Sequence, residues 1–157
     1  MLKKYKSYIV SILIALAVGG LSALATKGST DIYTQIVKPP LAPPSNVFPI
    51  VWSILFILMG ISSAGVYEKI KSGNTKSTSA LTVYAVNLAV NFLWSILFFN
   101  LEAYLFAFVW LLLLIAIIIT MIIEFYKIEP WTAYLQIPYL LWCIFAAYLN
   151  LSIYILN

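Results

Sequence analysis

Residues 37–67 read VKPPLAPPSNVFPIVWSILFILMGISSAGVY. Pro39, Pro40, Pro43 and Pro44 fall within six residues and Pro49 follows, so five of the chain's seven prolines lie here. Proline fixes φ and offers no backbone N–H, so the first part is predicted to be a stiff, extended connector and not a helix. From Val47 to Tyr67 the chain then stays apolar for the roughly 20 residues that a helix needs to cross a bilayer. A rigid loop that runs straight into a membrane span is the expectation from which the rest of the chain is read.

The same kind of apolar run recurs. Of 157 residues, 64% are hydrophobic and only 9% charged, and the mean hydropathy is +1.02, a balance that a soluble surface does not tolerate. Runs of spanning length cover 8–26, 47–67, 80–99, 103–125 and 132–156. The predicted fold is an all-α membrane protein, a bundle of five transmembrane helices forming a single domain over 1–157, with a proline-rich lid loop at 27–46. Lys3, Lys4 and Lys6 before an apolar stretch that ends Ala23-Leu24-Ala25 resemble a secretion signal. The stretch is longer than a usual signal core, and Ala15, Gly19 and Ala23 recur every four residues, so a retained, closely packed helix is expected instead.

Charge sets the expected topology. Lys3, Lys4, Lys6, Lys69, Lys71, Lys76 and Lys127 fall on one side of a five-span chain and only Lys27 and Lys38 on the other. The positive-inside rule places the N-terminus in the cytoplasm of a cell (inner) membrane, with the proline loop and the C-terminus outside. The net charge of +4 lies beside membrane spans and is not a nucleic-acid footprint. Histidine is absent and Cys143 is the single cysteine, so neither a disulfide framework nor a metal or haem-ligand cluster is expected, and no cofactor.

The third span has the sharpest internal pattern. Tyr84, Asn87, Asn91, Trp94 and Phe98 share one helical face at intervals of three and four. Amides are costly against lipid, so both should point into the bundle, either lining a cavity or bonding to neighbouring helices. Ala85 and Ala89 lie on the roughly opposite face as a small-residue pair, which suits packing within the chain or a homodimer seam. In the last span Pro138, Trp142, Ala146 and Asn150 follow at four-residue spacing, and in the second Trp52, Phe56 and Gly60 do the same. Trp131, next to Pro130, fits an interfacial anchor, whereas Trp94 and Trp142 lie well inside their spans.

These residues restrict the chemistry. No span carries an ionisable group near its middle, which disfavours ion-coupled export. No histidine is available to pair with a nucleophile, and Cys143 has no activating cation beside it. The pattern that remains is an apolar, aromatic pocket with a few amides, suited to a flat hydrophobic ligand.

Several separated motifs together resemble a known family. Lys38-Pro39, Pro43-Pro44, Val47-Phe48-Pro49 leading to Trp52, and Met59-Gly60 are similar to the first loop and second helix of the translocator protein (TspO/MBR) family. Its members are also called tryptophan-rich sensory proteins or peripheral benzodiazepine receptors. The likeness continues through Asn91-Phe92-Leu93-Trp94 with Phe98-Phe99, and through Pro138-Tyr139-Leu140-Leu141-Trp142 with Phe145-Ala146 and Leu149-Asn150. The resemblance, to a bacterial-type member, implies a five-helix homodimer whose pocket under the first loop binds porphyrins and synthetic ligands. Taken with the stripes above, the ligand-binding candidates are Pro43, Pro44, Trp52, Phe56, Asn87, Asn91, Trp94, Pro138, Trp142 and Ala146. Bacterial members of the family have been linked to light-dependent breakdown of protoporphyrin, for which Trp52 and Trp142 are the matching candidates. Two departures stand out: Leu41 and Asn46 occupy loop positions where the family usually has tryptophan, and Leu151 and Ile155 replace the aromatic and basic residues of the animal cholesterol motif. Sterol binding through that motif is therefore not expected.

Three function classes follow. The leading one is a membrane tetrapyrrole-binding protein, with or without photochemical turnover. A transporter of porphyrins or other amphipathic metabolites and a sensory regulator acting through protein partners are the alternatives. The expected partners are a porphyrin or similar flat ligand, the lipid bilayer and a second copy of the chain.

Overall fold

The computed structural model describes residues 2–73 and 78–157. Lys76, counted above on the lysine-rich side, lies outside the described residues. The elements are α1 (Leu2–Ala25), a short α2 (Ile32–Gln35), α3 (Val47–Lys71), α4 (Ser79–Ser95) continued by a π-helical turn (Ile96–Asn100), α5 (Tyr104–Ile128), α6 (Pro130–Tyr134) and α7 (Ile137–Leu156). Five of these units are long and apolar enough to cross a membrane: α1, α3, α4 with its π turn, α5, and α6 with α7. No strand occurs among the described residues.

The helices overrun the apolar segments for physical reasons. Lysine is a good helix former whose long stem reaches back toward headgroups, so α1 begins at Leu2 and takes in Lys3, Lys4 and Lys6. Lys69 and Lys71 occupy the last turn of α3, where cations complement the exposed carbonyls. The last span, expected as one helix, is two. Pro138 cannot donate to a carbonyl one turn back, so the chain turns at Leu135 and Gln136 and restarts with proline in the first turn of α7.

The core forms where small residues and apolar stripes meet. A Cβ on Gly60 would lie 2.5 Å from the Ile12 Cα, so this glycine lets the backbones of α1 and α3 touch. A Cβ on Gly65 would lie 2.6 Å from the Trp131 ring, which packs there with Thr132. Leu111, Leu114, Ile118, Met121 and Phe125 bury one face of α5 at intervals of three and four. Trp110 Nε1 donates to the Val90 carbonyl at 2.8 Å and ties α5 to α4. Ala85 and Ala89 are turned to the outside, so the small-residue pair of α4 makes no packing seam within the chain.

Candidate functional site: a cavity beneath the proline lid

The lid is held by side chains because its own backbone offers few donors. Each proline keeps a carbonyl that needs a partner. Tyr33 Oη, from α2, donates to the Pro43 carbonyl at 2.7 Å, and Tyr148 Oη, from α7, donates to the Pro40 carbonyl at 2.8 Å. Asn157 completes the attachment with a two-bond clasp: it accepts from Val37 N at 3.0 Å and donates to the Val37 carbonyl at 2.9 Å. Burial pushes the Tyr33 phenol above its ordinary range. Between Pro39 and Ala42 the chain turns with a backbone hydrogen bond of 3.3 Å and Leu41 at φ 71°, the left-handed position of a type II turn that favours glycine.

Beneath the lid lies a cavity of about 600 Å³, within the range of roughly 300–1,000 Å³ usual for small-molecule sites. Its aromatic walls come from three helices. Trp52 and Phe56 project from α3, Trp94 with Phe98 and Phe99 from α4 and its π turn, and Trp142 from α7. The rings brace one another: Trp94 stacks on Phe98 with centroids 5.3 Å apart, and Phe48 meets Trp142 edge-on at 5.8 Å. The π turn matters here, since its extra residue per turn lets both Phe98 and Phe99 face the cavity. The fourth wall is a run of small residues on α1, including Gly19, Gly20, Ser22 and Ala23.

The amides among the aromatic walls are placed by buried bonds. Asn91 Nδ2 donates to Tyr139 Oη at 2.7 Å, and Tyr139 donates in turn to Asn87 Oδ1 at 2.7 Å. Trp94 Nε1 donates to Asn150 Oδ1 at 3.1 Å, while Asn150 Nδ2 donates to the Tyr104 carbonyl at 2.8 Å. Asp31 is the single formally charged residue on the described lining. The arrangement can stack an apolar ring system and offer it the amides of Asn46, Asn91 and Asn150. Among the described residues it presents no nucleophile paired with a base.

The family model described as TspO/MBR matches residues 11–156. The chain belongs to the TspO/MBR family. It is 35% identical over 151 residues to a protein named "Tryptophan-rich protein TspO" of Chlorobaculum tepidum, covering 92% of this chain and 95% of that one. A protein of the same name from Archaeoglobus fulgidus is 34% identical over 151 residues, covering 95% of each. The "Translocator protein" of Ovis aries is 33% identical over 118 residues, covering 75% of this chain and 70% of the sheep protein. The resemblance drawn from the loop and helix motifs is thus the family found by comparison.

Of the residues singled out from sequence, Trp52, Phe56, Asn91, Trp94, Trp142 and Ala146 come together on the cavity wall. Four others do not line it. Asn87 is fully buried one turn away and serves as the acceptor for Tyr139. Pro43 and Pro44 brace the lid from behind, leaving Ser45 and Asn46 to face the cavity, and Pro138 is on the exposed face of α7. Lys38 stays outside as well, with its ammonium 5.1 Å from the centre of the Tyr33 ring. Sequence reasoning overlooked the α1 wall, because Gly19 and Ala23 at four-residue spacing were read as helix packing alone. A Cβ on Gly20 would meet nothing within 4 Å, so this glycine provides space.

Proposed function

We propose that this TspO/MBR family protein binds a flat, largely apolar ligand of the tetrapyrrole class beneath the lid. The observation that carries the reading is the convergence of Trp52, Trp94 and Trp142 from three separate helices on one cavity. Indole rings give large contact area at low conformational cost, and offset or edge-on contacts suit an extended π system. Asn91 is the amide held to meet its polar edge, fixed by Tyr139 from behind. The prolines stiffen the lid, and the three side chains that hold it, Tyr33 and Tyr148 on proline carbonyls and Asn157 on Val37, decide when it opens. Trp52 and Trp142 stand on the same cavity, which also favours light-dependent breakdown of a bound porphyrin, its reactivity drawn from the excited pigment and the protein positioning it.

The membrane orientation belongs to the same proposal: the lysine-rich ends of α1, α3 and α5 face the cytoplasm, and the lid and α7 end face outside. A homodimer would use the outward Ala85 and Ala89 face of α4. Titration of the detergent-purified protein with protoporphyrin, followed by tryptophan quenching in the dark, tests the binding reading. Saturable quenching that Trp142→Ala weakens about tenfold is expected, the loss of one aromatic contact of order 1.4 kcal/mol. Unchanged affinity in Trp142→Ala removes the stacking role. Illumination of the complex separates the photochemical arm, which requires a discrete product that Trp52→Phe with Trp142→Phe abolishes.

A further inference from the structure

Below the cavity, toward the Lys69 and Glu129 ion pair, the bundle interior remains polar where a membrane protein would ordinarily be apolar. Tyr139 on α7 and Asn87 on α4 are hydrogen-bonded, which pins the two stripes side by side. Three residues earlier in the chain stand Tyr84 on α4 and Gln136, the residue that caps α7, which puts both about one turn deeper. The Ser63 hydroxyl of α3 neighbours Tyr84, and Ser62 donates to the Thr132 carbonyl at 2.7 Å on the same flank. Gln136 and Asn87 are 0% exposed and Tyr84 7%.

The polar atoms of this group are not fully matched to one another. Gln136 Nε2, Gln136 Oε1 and Asn87 Nδ2 have no protein partner, and the Tyr84 hydroxyl has only that of Ser63 beside it. Buried groups of this kind are nearly always satisfied, and inside a bilayer the penalty for leaving them bare is high. What satisfies them can be read from their chemistry. Two amide NH₂ groups offer only donors and the Gln136 carbonyl only acceptors, while the phenol can do either. A bare cation would serve the carbonyl alone and an anion the amides alone. Water both donates and accepts, and an internal water typically makes about three such bonds.

We propose that Tyr84, Asn87 and Gln136 form an internal water-binding site beneath the aromatic cavity. Its effect reaches the ligand wall through protein bonds already in place. Water held on Asn87 Nδ2 orients that amide with its carbonyl toward Tyr139, and Tyr139 in turn holds Asn91. The site thus keeps a polar chain in register from the cytoplasmic half of the bundle to the ligand pocket. It also explains why the break between α6 and α7 carries a glutamine inside the bundle at a position where lipid-soluble packing would call for leucine.

Gln136→Met keeps the length of the side chain and removes its hydrogen bonds. If water bridges Gln136 to Tyr84 and Asn87, the variant strands the other partners and lowers the unfolding midpoint by about 4 °C or more. If the amide is merely left unpaired, methionine is the better buried residue and the midpoint holds or rises, which overturns the proposal. A direct reading uses ¹⁵N-labelled protein and bulk water as the probe. The side-chain amides of Gln136 and Asn87 should show water cross-peaks of dipolar sign, distinct in sign from those of chemical exchange. Should Gln136→Met fail to fold, Tyr84→Phe serves in its place and should weaken the Gln136 cross-peak. Absence of the cross-peaks in the unsubstituted protein refutes the site. Additive midpoint shifts in Tyr84→Phe with Gln136→Met would refute a shared water as well, because residues on one network couple.

Discussion

Replacing Tyr139 by Phe removes one oxygen and leaves the ring in place. That oxygen accepts from Asn91 and donates to Asn87, both at 2.7 Å, in a side chain only 1% exposed. Interhelical hydrogen bonds inside membranes average about 0.6 kcal/mol and reach about 1.7 kcal/mol, so two of them set a loss near 1 kcal/mol. The stranded Asn87 carbonyl and Asn91 amide raise it toward about 3 kcal/mol, since an unpaired buried group costs about 1–3 kcal/mol. At about 2–4 °C per kcal/mol for a chain of this length, the unfolding midpoint should fall by about 2–12 °C. Thermal unfolding in detergent at one fixed scan rate reads this directly. Protoporphyrin affinity measured on the same samples should fall several-fold, because the Asn91 amide is no longer aimed. An unchanged midpoint would refute the chain of bonds as a stabilising element. Unchanged affinity alongside a lowered midpoint would refute its link to the pocket.

Two glycines on facing helices should respond in opposite ways. Gly20→Phe points into open space, so it should abolish ligand binding with little change in midpoint, whereas Gly60→Ala meets the Ile12 backbone and should cost about 1–3 kcal/mol; binding retained in Gly20→Phe would mean the ligand sits elsewhere. Tyr148→Phe and Asn157→Ala each release the lid at one point. At about 0.5–1.5 kcal/mol per hydrogen bond, Tyr148→Phe, which loses one, should speed ligand dissociation about 2- to 13-fold in stopped-flow fluorescence, and Asn157→Ala, which loses two, about 5- to 160-fold. Dissociation at the original rate in both would show that the lid does not gate the cavity.

Much of this architecture was legible because membranes impose length and hydropathy on single segments. Each span announces itself locally, and the three- and four-residue spacing of Trp52 with Phe56, Asn91 with Trp94, and Trp142 with Ala146 predicts one shared face per helix. What single segments do not carry is which faces meet. Gly20 and Gly60 are the same residue in similar surroundings, yet one makes room for a cavity and the other for a neighbouring backbone. Asn87 and Asn91 share a stripe, but a turn of helix takes one behind the wall and leaves the other on it. The clasp between Val37 and Asn157 joins residues 120 positions apart, and no local pattern marks it. The break before α7 follows from Pro138, but a proline kink and a full restart look alike in sequence.

Asp31 gives the cavity a polarity of its own. It is the lone full charge on the described lining, and it is negative. A ligand that carries carboxylates is repelled where it nears Asp31, which favours entry with its apolar edge leading toward Trp52 and Trp142. Between an acid and its neutral ester, the ester meets no repulsion, and the preference between them should shrink as added salt screens Asp31.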